Sequence, residues 1–167
     1  MKQSLILIAL IALTTLSNAQ NQANMNINQE APVVQSKEIV INATPQKVWK
    51  ILTEIEKWGN WNAKINNVII QGRPEVGVNF TWKTNGSKIK STIHTYNQKT
   101  AFGWSGKTFG ATAIHNWYLE PTVNGTKVIV EESMQGWLIK LMKKKMNTIL
   151  EKDMVYWLEQ LKIACEE

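Results

Sequence analysis

The sequence predicts an α+β fold: a curved, seven-stranded antiparallel sheet wrapped around one long C-terminal helix, with two short helices after the first strand. Three observations predict it. Apolar and polar residues alternate with period two through most of Ile39 to Ser133, punctuated by the turn signals Asn85-Gly86 and Asn124-Gly125. From Trp137 to Ala164 the apolar residues instead recur at helical spacing. Trp82, Trp104 and Trp117 fall on strand positions that point toward the core. A sheet carrying indoles on its concave side encloses more apolar volume than a plain core needs, so a cavity under the terminal helix is expected.

The elements follow in order. Order is expected to begin at Ser36, with a strand over Lys37–Asn42 in which Ile39 and Ile41 alternate with polar neighbours. Thr44-Pro45 then reads as a helix start, Thr as the cap and Pro in the first turn, followed by Val48, Trp49, Ile51, Leu52 and Ile55 at helical spacing. Trp58-Gly59-Asn60-Trp61-Asn62 interrupts that helix and brings two indoles to the next strand. Val68–Gln71 is a short strand ending at Gly72-Arg73-Pro74. Val78–Lys83 and Lys88–Tyr96 form a hairpin about Asn85-Gly86, and Thr100–Gly106 carries Phe102 and Trp104 on one face. Thr112–Glu120 and Thr126–Ser133 form the last hairpin. The terminal helix puts Ile139, Met142, Met146, Ile149, Leu150, Trp157 and Leu161 on one side, and Lys144, Glu151, Lys152, Glu159 and Lys162 on the other.

Composition bounds the function classes. Of the 167 residues, 44% are hydrophobic, eight are tryptophan and one is cysteine, and the formal charge is +6. Lys2, the apolar run Leu5–Leu13 and Ser17-Asn18-Ala19 together read as a secretory signal peptide over residues 1–19, cleaved after Ala19. The run is too short for a membrane span, which needs roughly 20 residues. A periplasmic or secreted location is expected. Residues 20–35 are rich in Asn and Gln and read as a flexible lead-in to a single domain over residues 36–167. Cys165, alone and near the end, makes no internal disulfide and is expected in a fraying terminus. A single arginine, Arg73, and no aromatic-basic repeat argue against a nucleic-acid partner. Lys143-Lys144-Lys145 reads first as a solvated face, and beside Trp137 and Met142 as a transient contact with anionic lipid.

Several segments resemble, in order, the landmarks of a known superfamily. Ile39-Val40-Ile41-Asn42-Ala43-Thr44-Pro45 with Val48-Trp49 is similar to the opening of START-like, helix-grip proteins of the polyketide cyclase/dehydrase branch (SRPBCC). Trp58 to Trp61-Asn62, Gly77 to Trp82, Trp104-Ser105-Gly106, His115-Asn116-Trp117, Gly125 to Val128 and Glu131 to Gly136 resemble its later segments. The resemblance runs from about Ser36 to the C-terminus. It implies the same sheet-around-helix architecture with a cavity that takes lipids, polyketides or other apolar molecules, and in some members cyclisation or dehydration.

The candidate chemistry lies in the last hairpin. If Pro121 opposes Thr126, then Leu119 opposes Val128, Trp117 opposes Val130, and His115 opposes Glu132 on the same apolar, concave face. That pair has three readings: an acid/base couple with Glu132 orienting the imidazole, an anchor for a ligand's polar end, or two buried polar groups satisfying each other. Phe80, Trp82, Trp104, Trp117, Met146 and Trp157 are the expected cavity lining, their alternative being ordinary core packing. Asp153 either turns to the helix edge to meet a lysine or adds a carboxylate to the cavity. His94, between Lys90, Thr92 and Tyr96, is expected to face water. No metal site, phosphate loop or nucleophilic serine turn is present, and no cofactor is expected. The leading expectation is a monomer that binds a hydrophobic small molecule or lipid. The alternatives are a cyclase or dehydratase using His115, and a membrane-surface interaction module.

Overall fold

Strand β1 (Val33–Ile41) runs into Thr44, whose hydroxyl accepts the Lys47 amide at 3.3 Å and caps helix α1 (Pro45–Thr53). Proline at the first helical position needs no amide partner there, so cap and start agree. A single 3-10 turn (Ile55–Lys57) leads to α2 (Trp58–Trp61), so the Trp-bearing segment expected to break the helix forms a short one of its own. Five strands follow before the last hairpin partner: β2 (Ile65–Ile70), β3 (Asn79–Thr84), β4 (Ser87–Asn97), β5 (Ala101–Thr108) and β6 (Ala111–Thr122). Strand β7 (Gly125–Gln135) then pairs with both β6 and β1, giving the seven-stranded order β1-β7-β6-β5-β4-β3-β2. Every pairing is antiparallel. The computed structural model describes residues 25–167; the expected signal peptide and the first residues of the lead-in lie outside them.

The turn chemistry fixes the registers. Asn85 and Gly86 both take positive φ (47° and 77°), the backbone that a two-residue hairpin requires of its central pair. Thr122 pairs with Gly125 and Pro121 with Thr126, which carries His115 opposite Glu132 as the loop length predicts.

Four expectations are corrected. The lead-in gives way to β1 at Val33, three residues before Ser36, because Val33 is buried and pairs with Met134. Ahead of it Ile27 is also buried, and the chain lies on the outer face of the sheet: the Asn28 amide donates to Ser133 Oγ at 3.0 Å and Asn116 Nδ2 donates to the Met25 carbonyl at 2.9 Å. The terminal helix is two helices, α3 (Trp137–Leu141) and α4 (Lys143–Glu166), separated at Met142 (φ −109°, ψ 25°). Apolar spacing is nearly continuous across that break and so conceals it. Finally, α4 stays ordered to Glu166 and buries Cys165 beside Leu161, which pushes the thiol up to about 12.

Helix α4 crosses the concave face with Leu150, Met154, Trp157, Leu158 and Leu161 buried beneath it. Polar bonds sew it to β1. Lys37 meets Glu151 at 2.8 Å, Gln35 Nε2 donates to Asn147 at 3.0 Å, and Lys162 Nζ donates to the Val40 carbonyl at 2.8 Å. Glu166 accepts the Asn42 amide at 2.8 Å. Among the described residues no helix is long and apolar enough to cross a membrane.

Trp58 sits at the centre of the core, fully buried, with its indole N–H donating to the Leu52 carbonyl at 2.8 Å. Its ring meets Phe80, Trp82, Trp104 and Trp157 at centroid distances of 5.2–5.9 Å, so α2, the sheet and α4 converge on one side chain. Trp58→Ala should therefore cost about 3–5 kcal/mol of unfolding free energy. Urea denaturation followed by far-UV circular dichroism measures it, and a loss near that of an exposed-site change would refute the central position of this ring.

Candidate functional site

Alternation on β6 brings His115 and Trp117 to the concave face, where the backbone register sets Trp104 and Glu132 on either side of the imidazole. His115 Nδ1 donates to Glu132 Oε2 at 2.5 Å, and the ring stacks on Trp104 with centroids 4.4 Å apart and planes 14° from parallel. Carboxylate and indole together fix both the ring's plane and the nitrogen left free. That nitrogen, Nε2, is buried and has no hydrogen-bond partner among the described residues. With Nδ1 donating, Nε2 offers a lone pair in the neutral ring and a proton in the imidazolium.

The expected lining residues do come together. Phe80, Trp82, Trp104, Trp117 and Trp157 are buried, and Met146 is half-buried against them. They meet each other, however, and not an open space. The Trp157 ring lies 5.7 Å from Trp117, 6.0 Å from Trp82 and 6.1 Å from His115, so it occupies the position beneath the sheet where a cavity was expected. Two open depressions lie elsewhere. One, of about 900 Å³, is open and lined by Asn42–Pro45, Pro121–Gly125 and Lys162; the other, of about 520 Å³, lies between Asn28–Pro32 and Gln135–Lys140. Five large side chains on facing elements thus pack on one another where alternation alone assigned space to a ligand.

Packing satisfies apolar surface here but not every polar atom. Trp82 Nε1 donates to Ser91 Oγ at 3.1 Å. By contrast Trp117 Nε1, on the sheet, and Trp61 Nε1 and Asn62 Nδ2, at the end of α2, are buried without a partner among the described residues. Trp157 stands between the two groups, 5.7 Å from Trp61 and 5.7 Å from Trp117. Each buried, unsatisfied donor costs about 1–3 kcal/mol, and such groups are few in native proteins. The sequence reading passed over Trp58, Trp61 and Asn62 as site residues. Their signal was present in the three-residue spacing of Trp58 and Trp61, which puts both rings against α4.

Asp153 turns to the helix edge. It meets Lys64 at 2.8 Å and accepts from Asn85 Nδ2 at 2.8 Å, and it contributes no carboxylate to the interior. No three of the described His, Cys, Asp and Glu side chains cluster as metal ligands would. His94 is the clear departure. A register shift between Ile93 and Thr95 bulges β4 and lays the imidazole over Gly103 on the outer face, where a Cβ on Gly103 would strike His94 and Asn116. The ring is half-buried, with Nδ1 2.9 Å from Thr95 Oγ1. Burial lowers its pKa from 6.5 to about 4, helped by the charge of His115 and opposed by the Trp104 backbone.

Three comparisons bear on the site. The family model described as "Polyketide cyclase / dehydrase and lipid transport" matches residues 33–166. No curated protein matches the chain. Among solved structures, the hypothetical protein jhp0584 from Helicobacter pylori is similar at TM-score 0.75 and 19% identity, over 85% of this chain and 98% of that one. The di-domain ARO/CYC StfQ from the steffimycin biosynthetic pathway is similar at TM-score 0.68 and 13% identity, over 80% of this chain and 51% of that one. Ara h 8.0201 is similar at TM-score 0.65 and 13% identity, over 77% and 94%. At these identities the structures share the fold.

The His94 geometry generates a pH prediction. Its folded pKa lies below its unfolded value, so the unfolded chain takes up the proton first and His94 costs stability as pH falls from 6.5 toward about 4. In urea titrations across that window His94→Gln should lose stability less steeply than the wild type. Parallel slopes would show that the ring titrates freely.

Proposed function

The chain belongs to the polyketide cyclase/dehydrase and lipid transport family, and we propose that it binds a hydrophobic small molecule carrying an oxygenated end between the sheet and α4. One observation carries this reading: His115 Nε2 and Trp117 Nε1 are buried without partners among the described residues, on rings whose centroids lie 5.5 Å apart in a mostly apolar wall. The indole N–H only donates, whereas Nε2 of the neutral imidazole accepts. A single hydroxyl satisfies both, donating to Nε2 while accepting from Trp117. An apolar body would then take the place of the Trp157 ring, whose outward swing also releases Trp61 and Asn62. We include in the same proposal a monomer working outside the cytoplasm, on the strength of the N-terminal signal-like segment.

A second reading has its own support in the Glu132–His115 couple. An imidazole held by a carboxylate, with its other nitrogen free, is arranged for proton transfer to or from a substrate oxygen or an adjacent carbon. Cyclisation and dehydration need such a group. The two readings part on one variant. His115→Ala weakens an anchored ligand modestly if the site only binds, and abolishes turnover if it reacts.

Naphthalene and 2-naphthol make suitable probes because they differ by the hydroxyl alone. Titration calorimetry is expected to show the naphthol bound about tenfold more tightly, the worth of roughly one net hydrogen bond. His115→Phe should erase that difference, and Trp157→Ala should strengthen both affinities by opening the space in advance. Equal affinities in the wild type, or a difference that survives His115→Phe, would remove the anchoring role.

A further inference from the structure

The end of the molecule where α3 meets the β5–β6 hairpin presents an apolar tip that the ligand reading does not use. Phe109, at the apex of the hairpin, is 78% exposed, Trp137 is 58% exposed and Leu141, one turn later, is 76% exposed. The Phe109 and Trp137 rings touch edge to face at 5.5 Å. Among the described residues, the other large apolar side chains that are exposed include neither Phe nor Trp.

This tip is built, not frayed. Gly110 (φ 67°) and Gly136 (φ 128°) bring the hairpin and the start of α3 into backbone contact: a Cβ on Gly110 would lie 2.8 Å from Leu138 Cβ, and one on Gly136 would strike the Gly110 carbonyl. The Leu138 amide donates to that carbonyl at 3.2 Å. Two elements distant in sequence are thereby locked so that their exposed aromatics stand together.

Lysines surround it. Lys107 precedes the hairpin apex, and Lys88 adjoins it through its carbonyl, which accepts from Thr108 Oγ1 at 3.0 Å. Lys140 lies in α3, and Lys143, Lys144 and Lys145 fill the first turn of α4. None of the six is in an ion pair among the described residues. Three cations in a helix's first turn oppose the positive end of its dipole, and that turn carries no acidic residue to offset them. An anionic surface laid against the tip would relieve that repulsion and cover the aromatic pair at once.

We propose that Phe109, Trp137 and Leu141 dock the protein on an anionic lipid surface, with the surrounding lysines reading its charge. Aromatic and leucine side chains on one side and lysines around them are the composition of a surface-lying membrane contact. A second copy of the chain fits poorly, because lysine would face lysine across the contact. The proposal is independent of whether His115 holds a ligand.

Flotation of the protein, as purified from its own host, with phosphatidylglycerol-containing and pure phosphatidylcholine vesicles tests it. Binding should require the anionic lipid and weaken as salt rises. Phe109→Ser with Leu141→Ser, both at exposed positions that leave the core intact, should lower binding at least about tenfold. Charge reversal at Lys143, Lys144 and Lys145 should lower it by on the order of a hundredfold. Binding that is equal on neutral vesicles, or unchanged in either variant, overturns the proposal. So does a dimer that the Phe109→Ser/Leu141→Ser variant dissociates while vesicles bind neither form.

Discussion

The contact between Trp157 and the indoles of the sheet and α2 is the constraint on which the rest of the molecule depends. Helix α4 has no ladder of hydrogen bonds to hold it against the concave face. Its centre is held by ring against ring, Trp157 meeting Trp58, Trp104 and Trp117 within 6.3 Å. Polar bonds to β1 then fix its rotation along one side. Dispersion and apolar burial, and not a hydrogen bond, are what these ring contacts supply. The ring also stands beside the buried nitrogens of His115, Trp117 and Trp61 that have no partner among the described residues.

That juxtaposition separates this interior from an ordinary core. A core built only for stability would either pair the nitrogens of His115, Trp117, Trp61 and Asn62 or replace them with apolar groups of the same shape. Here the surroundings solve half of the problem. Glu132 satisfies Nδ1 of His115 and Ser91 satisfies Trp82, while the nitrogens beside Trp157 go without. The interior set lies around Trp157, and a second pair, His94 Nε2 and Asn116 Oδ1, is buried without partners among the described residues over Gly103 on the outer face.

Much of the fold was legible in the sequence because it rests on rules with short reach. Turn length fixed the pairing of His115 with Glu132, and Thr44-Pro45 marked the start of α1. Other features needed three dimensions. The break at Met142 comes from docking α3 on a hairpin tip nearly thirty residues earlier, and apolar spacing carries no trace of it. His94 escaped because period-two counting fails at a bulge. The packing of Trp157 on the indoles of the sheet escaped because alternation tells which face a tryptophan takes but not how far a facing helix reaches across. Trp61 and Asn62 were visible as residues, yet their role depends on lying across from Trp117, which only the position of α4 establishes.

The attachment of the last helical turn to β1 has a consequence of another kind. An outermost strand normally leaves a row of amides and carbonyls ready to recruit a further strand from any passing chain. On β1 the Val40 carbonyl is capped by Lys162, and just beyond it the Asn42 amide is taken by Glu166, two side chains that also bridge each other at 3.2 Å. At the opposite border β2 is only six residues long and is kinked at Asn67. Each margin of the sheet thus carries a feature that works against recruiting a further strand.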